Sequence, residues 1–124
     1  MTFVTADSCR GRLERLTQLL FSAFPGSTIY QHTELLRVAH DALQHKVDAV
    51  FLEVETEQAA GLELMQMLRS QKAVLPVFII SETDHLREKA MEAGANGYFL
   101  LPDSEQQLLN AVRLVKTANE YQDN

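Results

Sequence analysis

A five-stranded parallel sheet, doubly wound by five helices, is the α/β fold class this chain predicts, and three observations predict it. Short β-rich stretches recur five times, and the segments between them carry helical periodicity. Two of those stretches contain the continuous apolar runs "AVFL" and "VFII", which suit strands buried on both faces. The chain has 124 residues, 46% hydrophobic and 23% charged, the composition and size of one globular domain with a substantial core. Strands alternating with helices across short loops require right-handed crossovers, and the commonest winding of five such units has the strand order 2-1-3-4-5. In that order ligands sit at the carboxyl ends of the first and third strands, where Asp7 and Glu53 stand.

The strands are expected at "TFVTA" (2–6), "STIYQ" (27–31), "DAVFLEV" (48–54), "VFIIS" (77–81) and "GYFLL" (97–101). In the first gap Leu13, Leu16, Leu19, Leu20 and Ala23 share a helix face, and "FPGS" supplies the stop and turn. Thr33 is the expected N-cap of the second helix, which carries Leu35, Val38, Ala39, Ala42 and Leu43. Leu62, Met65 and Leu68 line the third helix, and Leu86, Ala90 and Ala93 the fourth, which "GANG" ends. Ser104 and Gln107 have capping-box spacing at the start of the last helix, which continues through Leu108, Ala111, Val112 and Val115. Residues 1–118 are expected to form the domain, and 119–124 a polar tail that frays or begins a linker.

Charge and cysteine content exclude several classes. With 17 acidic and 11 basic residues the net charge is −6, so direct binding of nucleic acid or of an anionic membrane surface is not expected. Cys9 is the only cysteine, which excludes an intramolecular disulfide and fits a reducing cytoplasm. No stretch approaches the roughly 20 apolar residues of a membrane span, and no apolar run at the amino terminus looks like a signal peptide. A cytoplasmic location is expected.

Read in order, "VTADS", "DAVFLEV" with "GLELMQMLR", "VFIISE" and "AMEAGANGYFLLP" resemble the response-regulator receiver domain, a CheY-like, flavodoxin-like family, over essentially the whole length. Glu53 lies eight positions before Gly61, as the family's phosphoacceptor aspartate lies before its glycine. The resemblance implies a two-component signalling module and not an enzyme. In such a receiver a histidine kinase transfers a phosphoryl group to an aspartate ending the third strand, magnesium is held by acidic residues after the first, and a hydroxyl and a lysine read the phosphate. The metal and lysine neutralise charge while the carboxylate acts as nucleophile.

Held against that pattern, the chain is degenerate, a pseudo-receiver. Aligning on the helix leucines places Asp7 and Ser8 at the acidic pair, and sliding by one places Ala6 and Asp7 there. Either way one carboxylate is lost, so any magnesium on Asp7 and Glu53 should be weakly held, and no cofactor is expected beyond that. Asp7 reads equally as a strand-end or capping residue. Glu53 takes the phosphoacceptor position; its longer side chain carries a single charge to about where a phosphoryl group would lie, as a partial mimic or as a relic of lost chemistry. Leu101, before Pro102, stands where the family has lysine, and no other Lys or Arg lies in that strand, so no fixed cation is expected to pair with Glu53. Pro102 matches a proline that follows a cis peptide bond in the family. Ser81 keeps the hydroxyl position and Tyr98 the aromatic one. Either Ser81 bonds Glu53 and draws Tyr98 inward, or it caps the fourth helix while Tyr98 packs on its neighbours. Glu55 and Glu57 add negative charge, so the cluster is expected to admit a cation or to raise a carboxyl pKa.

Other features carry less. His32, His40, His45 and His85 show no metal-ligand spacing, and His40 and His45 read as solvated. Arg10, Arg12 and Arg15, interrupted by Glu14, read as a solvated helix face, and Met65 and Met67 as packing. No glycine cluster forms a phosphate loop. The expectation is a signalling domain that works without phosphorylation, through a protein partner or a homodimer formed by the fourth helix, fifth strand and fifth helix. A histidine kinase or a covalently linked DNA-binding domain outside the chain would complete it, with transcription as the output; "HDALQHKVDAVFLEVE" also resembles receivers joined to LytTR-type DNA-binding domains. The alternative is a working receiver that still accepts phosphoryl from a kinase with magnesium.

Overall fold

Five parallel strands form one sheet in the order β2-β1-β3-β4-β5. The computed structural model describes residues 1–54 and 58–122, with the side chains of 36, 58, 59 and 118–122 left aside. In chain order the elements are β1 (Thr2–Ala6), α1 (Arg10–Ala23), β2 (Thr28–His32), a 3-10 turn (Leu35–Arg37), α2 (Val38–Gln44), β3 (Ala49–Glu53), α3 (Gln58–Gln71), β4 (Val77–Ser81), α4 (Arg87–Glu92), β5 (Gly97–Leu100) and α5 (Glu105–Gln122). The expected fold class and strand order are both present.

Burial follows from position in the sheet. Every residue of β3 and β4 is buried, as their apolar runs require, whereas no residue of edge strand β2 is fully buried. Because successive side chains point to opposite faces, each central strand feeds two cores. Phe3, Phe51, Phe78, Ile80 and Phe99 turn to one side, where Leu16, Leu20 and Phe24 of the α1 region and Leu108 and Val112 of α5 cover them. Four phenylalanines there form a continuous aromatic row, with ring centroids 5.8 Å apart from Phe3 to Phe51, 5.5 Å from Phe51 to Phe78 and 5.8 Å from Phe78 to Phe99. Val4, Val50, Leu52, Val77 and Ile79 turn to the other side, against Val38 and Ala42 of α2, Met65 and Leu68 of α3, and Ala90 of α4.

Several helix limits differ from expectation. Thr33 is not a cap: the chain after β2 enters a 3-10 turn behind Glu34, and α2 proper begins at Val38. Leu86 is buried but precedes α4, which spans only six residues. α5 continues to Gln122, through most of the stretch expected from 119 to fray or to begin a linker. The loop glycines do what turn chemistry predicts, with φ of 83° at Gly26 and 107° at Gly94. Gly61 serves close packing: a Cβ on it would meet Val54 Cγ1 at 2.7 Å, so α3 lies against the chain leaving β3 only because that position is bare.

Candidate functional site

The site forms at the carboxyl end of the sheet, where parallel pairing of Ala6 with Leu52 brings the ends of β1 and β3 level. Asp7 follows β1 and Glu53 closes β3, and both are buried, at 6% and 5% exposure. Two carboxylates withdrawn from water side by side need a counter-charge. Arg12, in the first turn of α1, supplies it. Its Nε donates to Asp7 Oδ2 at 2.9 Å and its Nη2 to Asp7 Oδ1 at 3.0 Å, the two-pronged arrangement that matches a guanidinium to a carboxylate. Nη2 also lies 3.7 Å from Glu53 Oε2, and Nη1 donates to Glu82 Oε1 at 3.0 Å.

One guanidinium therefore joins β1, β3 and the segment after β4. Hydrogen bonding to Asp7 holds the Arg12 pKa above its already high ordinary value against the opposing effect of burial, with the charges of Asp7 and Glu53 and the bond to Glu82 adding to the rise. The cation is permanent at any ordinary pH. This corrects two expectations. Arg12 is not part of a solvated helix face, and Glu53 does not lack a nearby cation; the cation comes from α1 and not from β5.

The first turn of α1 holds no acidic residue, although it opens on arginines. Cations there oppose the helix dipole, so an unexplained arginine at a helix start is a signal that an anion is waiting for it. Asp7 also performs the strand-end role: its Oδ1 accepts the Cys9 backbone N–H at 2.8 Å, turning the chain into α1.

The remaining positions surround this ion cluster. Leu101 is half-buried among the apolar residues on the α1 and α5 side, and with Leu16, Leu19, Pro102 and the arms of Arg12 and Arg15 it lines an open groove. The Leu101-Pro102 peptide bond is cis. Ser81 is buried, and its Oγ accepts the Thr83 N–H at 3.1 Å. Tyr98 is packed inward at 4% exposure; its hydroxyl donates to the Thr83 carbonyl at 2.7 Å, and the Arg87 guanidinium stands 4.9 Å over its ring. Glu55 and Glu57 lie outside the described residues. Away from the site, His45 is not simply solvated: it stacks on Tyr30 at 4.6 Å and approaches Asp41, which also binds His32.

Comparison with known proteins decides the family. The model of the response regulator receiver domain matches residues 9–113. The chain belongs to the response-regulator receiver family. An uncharacterized response regulatory protein of Vibrio cholerae is 32% identical over 108 residues, 86% of this chain and 41% of that protein. Response regulator MprA of Mycobacterium leprae is 26% identical over 115 residues, 91% of this chain and 50% of that protein. The receiver thus spans half or less of the length of these curated relatives. Among solved structures, a receiver domain protein from Clostridium thermocellum superposes with a TM-score of 0.82 at 16% identity, covering 98% of both chains. The beryllium fluoride-activated DrrB receiver domain gives 0.78 at 19% identity, covering 94% of this chain and 97% of that one. At such identities the structural likeness is one of fold.

The family implies a magnesium ion between the acidic residues, and the described donors do not fit one. Both oxygens of Asp7 already accept from Arg12, and among the described residues no group of three or more His, Cys, Asp or Glu side chains is placed to hold a metal. No helix among the described residues is long and apolar enough to cross a membrane.

Proposed function

We propose that this receiver signals without accepting a phosphoryl group and acts through its surface, by contact with a protein partner or by dimerisation. The observation that carries the reading is the Arg12 guanidinium seated between Asp7 and Glu53. A phosphoryl group needs a carboxylate free to attack and a mobile metal to neutralise the charge that moves with it. Here Arg12 already occupies the space beside both carboxylates, held on Asp7 by two hydrogen bonds, and the lysine that would draw the phosphoryl oxygens is replaced by Leu101. The surface reading is supported by apolar side chains left in water on two of the three elements concerned, Met91 of α4 and Leu114 of α5 at 45% and 73% exposure. The greater length of the curated relatives supports an output beyond this domain, with a linked DNA-binding domain and control of transcription as the reading. Within it the module is cytoplasmic and does not touch nucleic acid itself, in keeping with its net charge of −6.

Beryllium fluoride with magnesium mimics a phosphorylated receiver, and amide shifts report its binding. The expected outcome is a spectrum unchanged around Asp7, Glu53 and Ser81 at millimolar magnesium. A saturable response at those residues would overturn the proposal in favour of a receiver that still accepts phosphoryl from a kinase.

A further inference from the structure

The segment between β4 and α4 is tied at both ends to groups that matter for signalling. At its start Glu82, with a side chain 58% exposed, accepts from Arg12, which is itself anchored on Asp7 and reaches Glu53. One residue later, Thr83 offers its carbonyl to the Tyr98 hydroxyl and its N–H to Ser81 Oγ. At the far end Arg87 donates to the Tyr98 carbonyl at 3.1 Å and covers the ring. Tyr98 is thus held by residues 83 and 87 of a segment whose other neighbour is held by the acid pocket.

We propose that Arg12 and Glu82 form a relay from the acid pocket to Tyr98, which sets the inward position of the aromatic ring with no phosphoryl group present. The proposal rests on the phosphorylation-independent reading and supplies its physical device. Arg12 is the fixed point, because a two-pronged bond to a buried carboxylate is much harder to detach than a single exposed contact. Glu82 is the movable point, since most of its side chain faces water. A contact that draws Glu82 away frees the segment carrying Thr83 and loosens the hydroxyl bond of Tyr98, with no covalent change at Glu53.

Glu82→Ala tests the relay by removing the acceptor of Arg12 Nη1 while leaving the Arg12–Asp7 pair in place, and the exposed position tolerates the change in folding terms. The chain has three tyrosines, so ring-labelled NMR resolves Tyr98 by assignment against Tyr98→Phe. The expected result is a shift of the Tyr98 ring signals and amide exchange across residues 82–87 about two- to five-fold faster, the range that an exposed ion pair supports. Glu105→Gln removes the partner of Arg15 on the neighbouring groove and is expected to leave Tyr98 unchanged. Wild-type behaviour of Tyr98 in Glu82→Ala, or an equal effect of Glu105→Gln, would overturn the relay. Neither measurement involves beryllium fluoride or magnesium, so a failure of the relay is distinguishable from a failure of the phosphorylation-independent reading.

Discussion

Arg12 matters because of where its charge ends up. Deleting it takes the cation from beside two carboxylates that are almost fully withdrawn from water, and removing one partner of a buried ion pair costs about 3–5 kcal/mol. The Arg12 side chain is itself 30% exposed, so water can enter behind a truncation and the loss is smaller. Arg12→Ala is expected to lower stability by about 1–3 kcal/mol in urea unfolding. The double variant with Asp7→Asn should recover part of it, since one of the two carboxylates is gone; a loss that simply adds would show that the two side chains do not act together. The raised Arg12 pKa sets the sign of any pH effect. A cation favoured by folding contributes fully below its unfolded pKa and is lost only as pH rises through the folded one, far into alkali. Arg12 therefore adds no slope to stability near neutrality.

At the scale of elements, α2 and α4 are short, with seven and six residues, and a side chain of the longer α3 bridges to the turns around them. Arg69 of α3 donates to the carbonyls of Ala73 and Leu75 in the loop before β4 and to Gly94 O at 2.7 Å in the turn before β5. It also reaches Asn96 Oδ1, which in turn accepts the Val77 N–H at 2.9 Å. One side chain thus fixes where β4 and β5 begin. Arg69→Ala is expected to cost about 1–3 kcal/mol, the penalty for leaving partly buried carbonyls unpaired. Faster amide exchange should be confined to residues 73–77 and 94–97. Uniform acceleration across the sheet would mean instead that the clamp contributes to global stability and not to these two turns.

For the whole molecule, the question is whether the Glu53 charge still sets a conformation. If Glu53 acts as a partial phosphate, Glu53→Gln should move Tyr98 and shift the dimer equilibrium measured by sedimentation. No change in either would mark the side chain as a relic that Arg12 merely accompanies. The fold was legible before any coordinates because it rests on patterns local in the chain. Apolar runs in β3 and β4, helical spacing of leucines in α1 and α5, and glycine turns each report burial within a few residues, and burial selects the layers. The positions of Asp7, Glu53, Ser81, Tyr98, Leu101 and Pro102 came with the family pattern laid on that order. Arg12 and Glu82 were not legible in the same way. Their partners lie up to 70 residues away in the chain, and a charged side chain at a helix start looks the same in sequence whether it faces water or a buried carboxylate. Periodicity records which faces are apolar, so it determined the strands and helices of the sheet, while the family pattern marked Ser8, Glu53 and Leu101 as departures. Which charge answers which is a matter of distance in the folded state, and only the folded arrangement placed a guanidinium from α1 beside Asp7 and Glu53.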